Sequence, residues 1–183
     1  MIKVVTPEET YFPHKGDEYW FKDENAIKIF LAGTIDNGQS DDWQYKLISY
    51  LCVYKDDGWN DLNEDLSLGD LIIYSPRRKN WNITATTEEI ENQIRWEQDH
   101  LDTADIIVMY LVDNSKSSIS LLELGLYGPQ GKMIVFCTDK FYRFNNVKLT
   151  CRKYGIDLIE SNNLKEVEDK ISLLYEELYN IKK

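Results

Sequence analysis

A sheet of mostly parallel strands with helices on both faces, an α/β sandwich, is the fold this sequence predicts, and three observations carry that prediction. Apolar runs of strand length, rich in β-branched residues, recur at Ile27–Gly33, Leu71–Tyr74, 106–112 and 133–138. Between them lie stretches whose apolar residues return every three or four positions, the period of a helix. Strands that alternate with helices pair in parallel, because each crossover brings the chain back to run in the same direction. Ligands of such sheets bind at the carboxyl ends of the strands.

Taken in order, Ile2–Val5 reads as a possible edge strand, and residues 11–24, polar and aromatic with prolines and a glycine nearby, read as part of an extension ending at residue 26. Ile27–Gly33 is the central strand, and its closing glycine lets backbone approach a ligand. Residues 34–40 form a loop. Asp41 and Asp42 favour a helix start, after which Trp43, Leu47 and Leu51 recur at fourfold spacing to make a buried stripe. Residues 55–70 read as a polar connection, and Leu71–Tyr74 as a strand ended by Ser75-Pro76-Arg77-Arg78.

Residues 80–85 read as loop. Thr86 and Glu89 have capping-box spacing for a helix to about Thr103, along which Ile90, Ile94, Glu97 and Leu101 fall on one stripe. Glu97 therefore stands where an apolar residue is expected. The strand at 106–112 leads through serines suited to a helix start into a helix carrying Glu123, flanked at helical spacing by Ile119, Leu122, Leu126 and Tyr127. An unpaired acid on an apolar face costs several kcal/mol or takes up a proton, and such acids are enriched at functional sites. The strand at 133–138, a short helix at 145–154 ended by Gly155, the brief strand Asp157–Ile159 and an amphipathic covering helix at 164–181 complete the chain.

The 183 residues fit one domain, residues 1–183, and 43% hydrophobic with 13% aromatic content is globular. No apolar run approaches the ~20 residues that span a bilayer, and the first residues lack an export signal, so a soluble cytoplasmic protein is expected. Cys52, Cys137 and Cys151 lie far apart in apolar or helical settings, which suits buried reduced thiols. A net charge of −11 argues against a nucleic-acid polymer as partner. With His14 and His100 alone, and no Cys or His pair at ligand spacing, no metal is expected. Dinucleotide, triphosphate and serine-hydrolase motifs are missing. What remains is a carboxylate pair beside strand ends, a chemistry suited to attack on a sugar carbon.

The blocks Ile29-Phe30-Leu31-Ala32-Gly33, Pro76-Arg77-Arg78, Gln93-Ile94-Arg95-Trp96-Glu97, Ala104-Asp105-Ile106-Ile107, Ser117 through Tyr127 and Arg143-Phe144-Asn145-Asn146-Val147 resemble, in order and spacing, the nucleoside 2-deoxyribosyltransferase-like family. The resemblance implies a flavodoxin-like three-layer sandwich with a mostly parallel, five-stranded sheet. It implies base exchange on a 2'-deoxynucleoside through a covalent deoxyribosyl-enzyme intermediate, with no cofactor. On the matching positions, Glu123 is the implied nucleophile and Glu97 an acid contacting the ligand and a candidate proton donor to the departing base. Asn146, or Asn145 beside it, implies a contribution to a neighbouring subunit's site and hence a homo-oligomer. Gly33, Thr34, Trp43, Arg77, Arg78, Ser117 and Ser118 complete the expected substrate contacts, with Trp81 and Trp96 as further stacking candidates. Phe30 stands where the family often has a tyrosine, leaving Tyr127 or Tyr110 to supply a hydroxyl. Ser117 and Ser118 stand where the better-known transferases carry an aspartate. Serine there is similar to N-glycosidases of nucleoside 5'-monophosphates, the alternative activity, with Arg77, Arg78 or Arg143 as phosphate partners. A nucleotide-binding module without turnover is the third reading.

Overall fold

Strand β3 (Ile27–Gly33) lies mid-sheet because nearly all of its side chains are apolar and both of its faces are covered. In the computed structural model, which describes residues 1–58, 70–79 and 85–182, β3 pairs in parallel with β4 (Leu71–Tyr74) on one side and β5 (Ile106–Leu111) on the other. Beyond β5 come β6 (Met133–Cys137) and β7 (Asp157–Ile159), and beyond β4 come β1 (Ile2–Val5) and β2 (Thr10–Tyr11). The order is β2-β1-β4-β3-β5-β6-β7, parallel throughout except for the β1–β2 hairpin.

The twofold alternation of strand side chains sorts the core into two layers. Ile27, Ile29 and Leu31 of β3, with Ile106 and Val108 of β5, face helices α1 (Trp43–Gly58) and α5 (Leu164–Lys182), whose stripes include Trp43, Leu47, Val167 and Ile171. Phe30 and Ala32, with Ile107 and Met109, face α2 (Thr87–Thr103), α3 (Ser118–Tyr127) and α4 (Phe144–Tyr154), which contribute Leu101, Leu124, Tyr127, Val147 and Cys151. This is the expected flavodoxin-like sandwich, with seven strands rather than five. The difference lies at the N-terminus, where β1 is not an edge. Val4 and Val5 pair with Tyr11 and Thr10 across a turn closed by the Thr6 hydroxyl, which accepts from the Glu9 N–H at 3.0 Å. Ile2 and Val4 are core residues, so the start of the extension belongs to the sheet.

Two further expectations shift. α1 runs to Gly58, taking in residues 55–58 of the expected connection. The rest of that connection, residues 59–69, and Trp81 with residues 80–84 lie outside the described residues. α2 begins with the expected capping box, the Glu89 N–H donating to the Thr86 hydroxyl and the Thr86 N–H to the Glu89 carboxylate. Ile90 and Ile94, however, are 50% and 44% exposed. Only the later half of α2 rests on the sheet, through Trp96, whose ring is 6.2 Å from Phe30, and through Leu101. Among the described residues no helix is long and apolar enough to cross a membrane. All three cysteines are buried, and burial pushes the Cys137 and Cys151 thiols up to about 12 and about 11.

Candidate active site

The site begins where β3 ends. Gly33 has φ +130, and a Cβ there would stand 2.1 Å from the Tyr110 carbonyl oxygen, so glycine is required by both conformation and space. The next residue, Thr34, is fully buried, and its hydroxyl closes a triangle with Ser115 (3.0 Å) and Ser117 (2.6 Å), which are themselves 2.9 Å apart. The Val112 N–H also donates to the Thr34 hydroxyl at 3.0 Å. This triangle ties the end of β3 to the turn after β5. It holds Ser117 at φ 42, a left-handed conformation that costs a non-glycine residue about 1–3 kcal/mol. The turn at Ser117 opens α3.

One and a half turns into α3, Glu123 faces a cavity of about 240 Å³. Phe30, Ala32 and Gly33 from β3, Ile35 and Asp36 from the following loop, Pro76 from the end of β4, and Ser117, Ser118 and Ser120 from the start of α3 share its walls. Burial pushes the Glu123 carboxyl up from 4.5 to about 8, the negative charge of Glu97 being the second cause. Glu97 comes from α2. Burial raises its pKa as well, but the Gln93 side-chain amide donates to Glu97 Oε1 at 2.6 Å and the positive charge of Arg78 lies near, and both oppose the rise. Near neutral pH, then, Glu123, the less supported of two electrostatically coupled carboxyls, holds its proton.

A family model described as nucleoside 2-deoxyribosyltransferase like matches residues 26–141. The chain belongs to the nucleoside 2-deoxyribosyltransferase-like family. No curated protein matches it. The match begins one residue before β3 and ends at Phe141, so it contains both glutamates, the hydroxyl triangle and the cavity walls. β1, β2, α4, β7 and α5 lie outside it.

Within this family member, Gly33, Ser117, Ser118 and Glu123 line one cavity, and the Thr34 hydroxyl bonds to Ser117. Trp43 corrects the expectation of base stacking. It is 1% exposed, its ring lies 5.0 Å from Tyr110, and its indole N–H donates to the Thr34 carbonyl at 2.8 Å. The buried stripe that starts α1 needs the ring in the core, and the N–H props the loop from behind. Arg77 and Arg78 also stand outside the cavity walls. Arg77 donates to the Gly38 and Ser40 carbonyls at 3.0 and 2.8 Å and pairs with Asp42 at 3.3 Å, pinning the loop between β3 and α1. Arg78 donates through Nε to Gln93 at 2.6 Å and through a terminal nitrogen to the Glu89 carbonyl at 3.3 Å. Asn146 is on α4 and lines a second cavity, about 320 Å³, with Leu121, Gly125 and Arg143. That cavity does not include its own chain's Glu123.

Phe30 does line the cavity, without a hydroxyl. Tyr110 is no replacement, since its hydroxyl donates to the Asn162 carbonyl at 2.6 Å and its ring packs in the α1 and α5 layer. Trp96 is held between Phe30 and His100, its ring 4.2 Å from the imidazole. Sequence reasoning missed Gln93, Asp36 and Ser120. Gln93 carries a readable signal, because a residue four before Glu97 on a helix shares its face. Asp36 has φ 47 at the head of an Asp-Asn-Gly turn, and such strain is visible only in the backbone.

Proposed function

We propose that this protein is a nucleoside 2-deoxyribosyltransferase that exchanges the base of a 2'-deoxynucleoside through a deoxyribosyl ester on Glu123. The observation that carries this reading is Glu123 facing a cavity at the strand ends, with the negative charge of Glu97 near enough to raise its pKa, in a chain of this family. For transfer, the Glu123 proton moves to Glu97 as substrate fills the cavity. The freed carboxylate oxygen then bonds to C1' while the C1'–N bond breaks, and Glu97 passes the proton to the departing base nitrogen. A second base reverses the sequence, its nitrogen bonding to C1' and its proton returning to the pair. Charge develops on the sugar ring in an oxocarbenium-like transition state, where two neighbouring carboxylates are most stabilising.

Hydrogen-bond counting favours a free nucleoside over a nucleotide. Three hydroxyls in a ring use three protons on three contacts, so Ser117 faces the cavity with an acceptor to spare, which suits a sugar hydroxyl better than a phosphate. Arg77 and Arg78 are committed to protein oxygens. The alternative, an N-glycosidase of nucleoside 5'-monophosphates, draws its support from Ser118 and Ser120 at the start of α3, where backbone N–H groups favour an anion. Assembly into a homo-oligomer is part of the proposal. Ile119, Leu122 and Leu126 of α3 are exposed beside the groove that holds Asn146, an apolar surface suited to a second copy. Sedimentation at several concentrations tests it, and a monomer throughout removes it.

Incubation with a deoxynucleoside and a second free base, with and without a 5'-phosphate, separates the readings by product. Transfer yields a new nucleoside, hydrolysis yields free sugar or sugar phosphate, and a binding module yields neither. Glu123→Ala should abolish either product in a protein with unchanged circular dichroism. Full activity in that variant would overturn the assignment of Glu123.

A further inference from the structure

We propose that Gln93 is the positioning residue of the acid pair, its amide pinned so that Glu97 rests as the proton acceptor and Oε2 is the oxygen that receives the proton. This rests on the transferase reading for its consequence, but not for its geometry. The Gln93 amide has three polar neighbours. Its oxygen accepts from Arg78 Nε at 2.6 Å, and its nitrogen donates to Glu97 Oε1 at 2.6 Å and to the Pro76 carbonyl at 3.1 Å. Turned over, the amide would set its oxygen against a carboxylate and a carbonyl and its N–H₂ against a guanidinium N–H, losing all three bonds. One orientation therefore survives, enforced by Arg78, Glu97 and the Pro76 carbonyl together.

Two consequences follow for Glu97. Oε1 accepts from Gln93, and the carbonyl oxygen of a carboxyl group is its better acceptor, so a proton on Glu97 is favoured on Oε2, which accepts no side-chain hydrogen bond among the described residues. The guanidinium also adds its charge at one remove, stabilising Glu97 as an anion. The groups around the pair are Arg78 from the turn after β4, Gln93 from α2, Glu123 from α3 and Asp36 from the loop after β3, while β3 itself contributes the apolar Phe30. Among the described residues no comparable side-chain donor supports Glu123, so the resting proton goes there, and Oε2 of Glu97 is the oxygen placed to collect it when substrate enters.

The test is a titration of carboxyl ¹³C shifts in protein labelled at glutamate, with Glu97 and Glu123 assigned by substitution of each. In the unaltered protein Glu97 should titrate at lower pH than Glu123. Gln93→Leu should raise the Glu97 midpoint and lower that of Glu123, shifting the ratio of the two singly protonated forms by roughly tenfold or more, the worth of a hydrogen bond to a charged group. Arg78→Met, which removes the guanidinium charge and one of the three bonds that hold the amide, should move both midpoints in the same directions and serves if Gln93→Leu does not fold. Midpoints unchanged in a folded Gln93→Leu, or in Arg78→Met where the first variant does not fold, would overturn the proposal. Because the titration needs no turnover, a protein that transfers no deoxyribose still decides it, and that failure would count against the transferase reading alone.

Discussion

Replacing Glu123 by glutamine should stabilise the folded protein at neutral pH while abolishing turnover, because the native carboxyl is held in a setting that resists ionisation. Burial and the charge of Glu97 raise it from 4.5 to about 8. Between those values the folded protein binds a proton that the unfolded chain has released, so stability falls as pH rises through the interval. At 1.36 kcal/mol per factor of ten, the full difference is worth roughly 4–5 kcal/mol above pH 8, of which about 3 kcal/mol is already lost at pH 7. Glutamine cannot ionise, keeps the shape of the protonated acid, and should be free of that loss. The assay is urea unfolding of both proteins at pH 5, 7 and 8.5. Carboxylates such as Asp41 and Glu89, whose pKa values are lowered by the hydrogen bonds they accept, contribute equally to both proteins and cancel in the difference. The expected result is a gap of little size at pH 5 that widens by several kcal/mol by pH 8.5. A gap that stays constant across this range would show that Glu123 ionises normally and would refute the dry-cavity reasoning.

Other consequences are checked by single measurements. For the proposed exchange, kcat/KM should fall about tenfold per pH unit above about 8, as the pair loses the proton that Glu97 passes to the departing base; a profile level from pH 7 to 10 would contradict the assignment. Gly33→Ala should fail to fold or melt far below the native protein, since the added carbon meets the Tyr110 carbonyl at 2.1 Å in a conformation with φ +130. Trp43→Phe should cost about 1–3 kcal/mol in urea unfolding, for the lost indole donor to the Thr34 carbonyl, and leave KM for nucleoside within about twofold. A large rise in KM without loss of stability would return Trp43 to the site.

The layers, the central strand and both acids are legible in the chain itself, because burial on two faces demands continuous apolar runs such as Ile27–Gly33 and because an acid in an apolar helical stripe stands out against its neighbours. The capping box of α2 is legible for the same reason, its partners being three residues apart. Four things depended on the folded chain. Pairing of β1 with β4 joins residues some seventy apart, and no local signal specifies it. That half of α2 stands off the sheet, exposing Ile90 and Ile94, follows from where β3 and β5 leave room for Trp96 and Leu101. Trp43, Arg77 and Arg78 carry side chains that could serve a ligand or the scaffold equally well, and only their distances to carbonyls and to Gln93 assign them to the scaffold. The coupling of Glu97 to Glu123 is of the same kind. Residue type supplies two carboxyls, whereas the energy that sets them apart comes from burial and a charge brought by another segment, and these exist only once β3, β4, α2 and α3 meet.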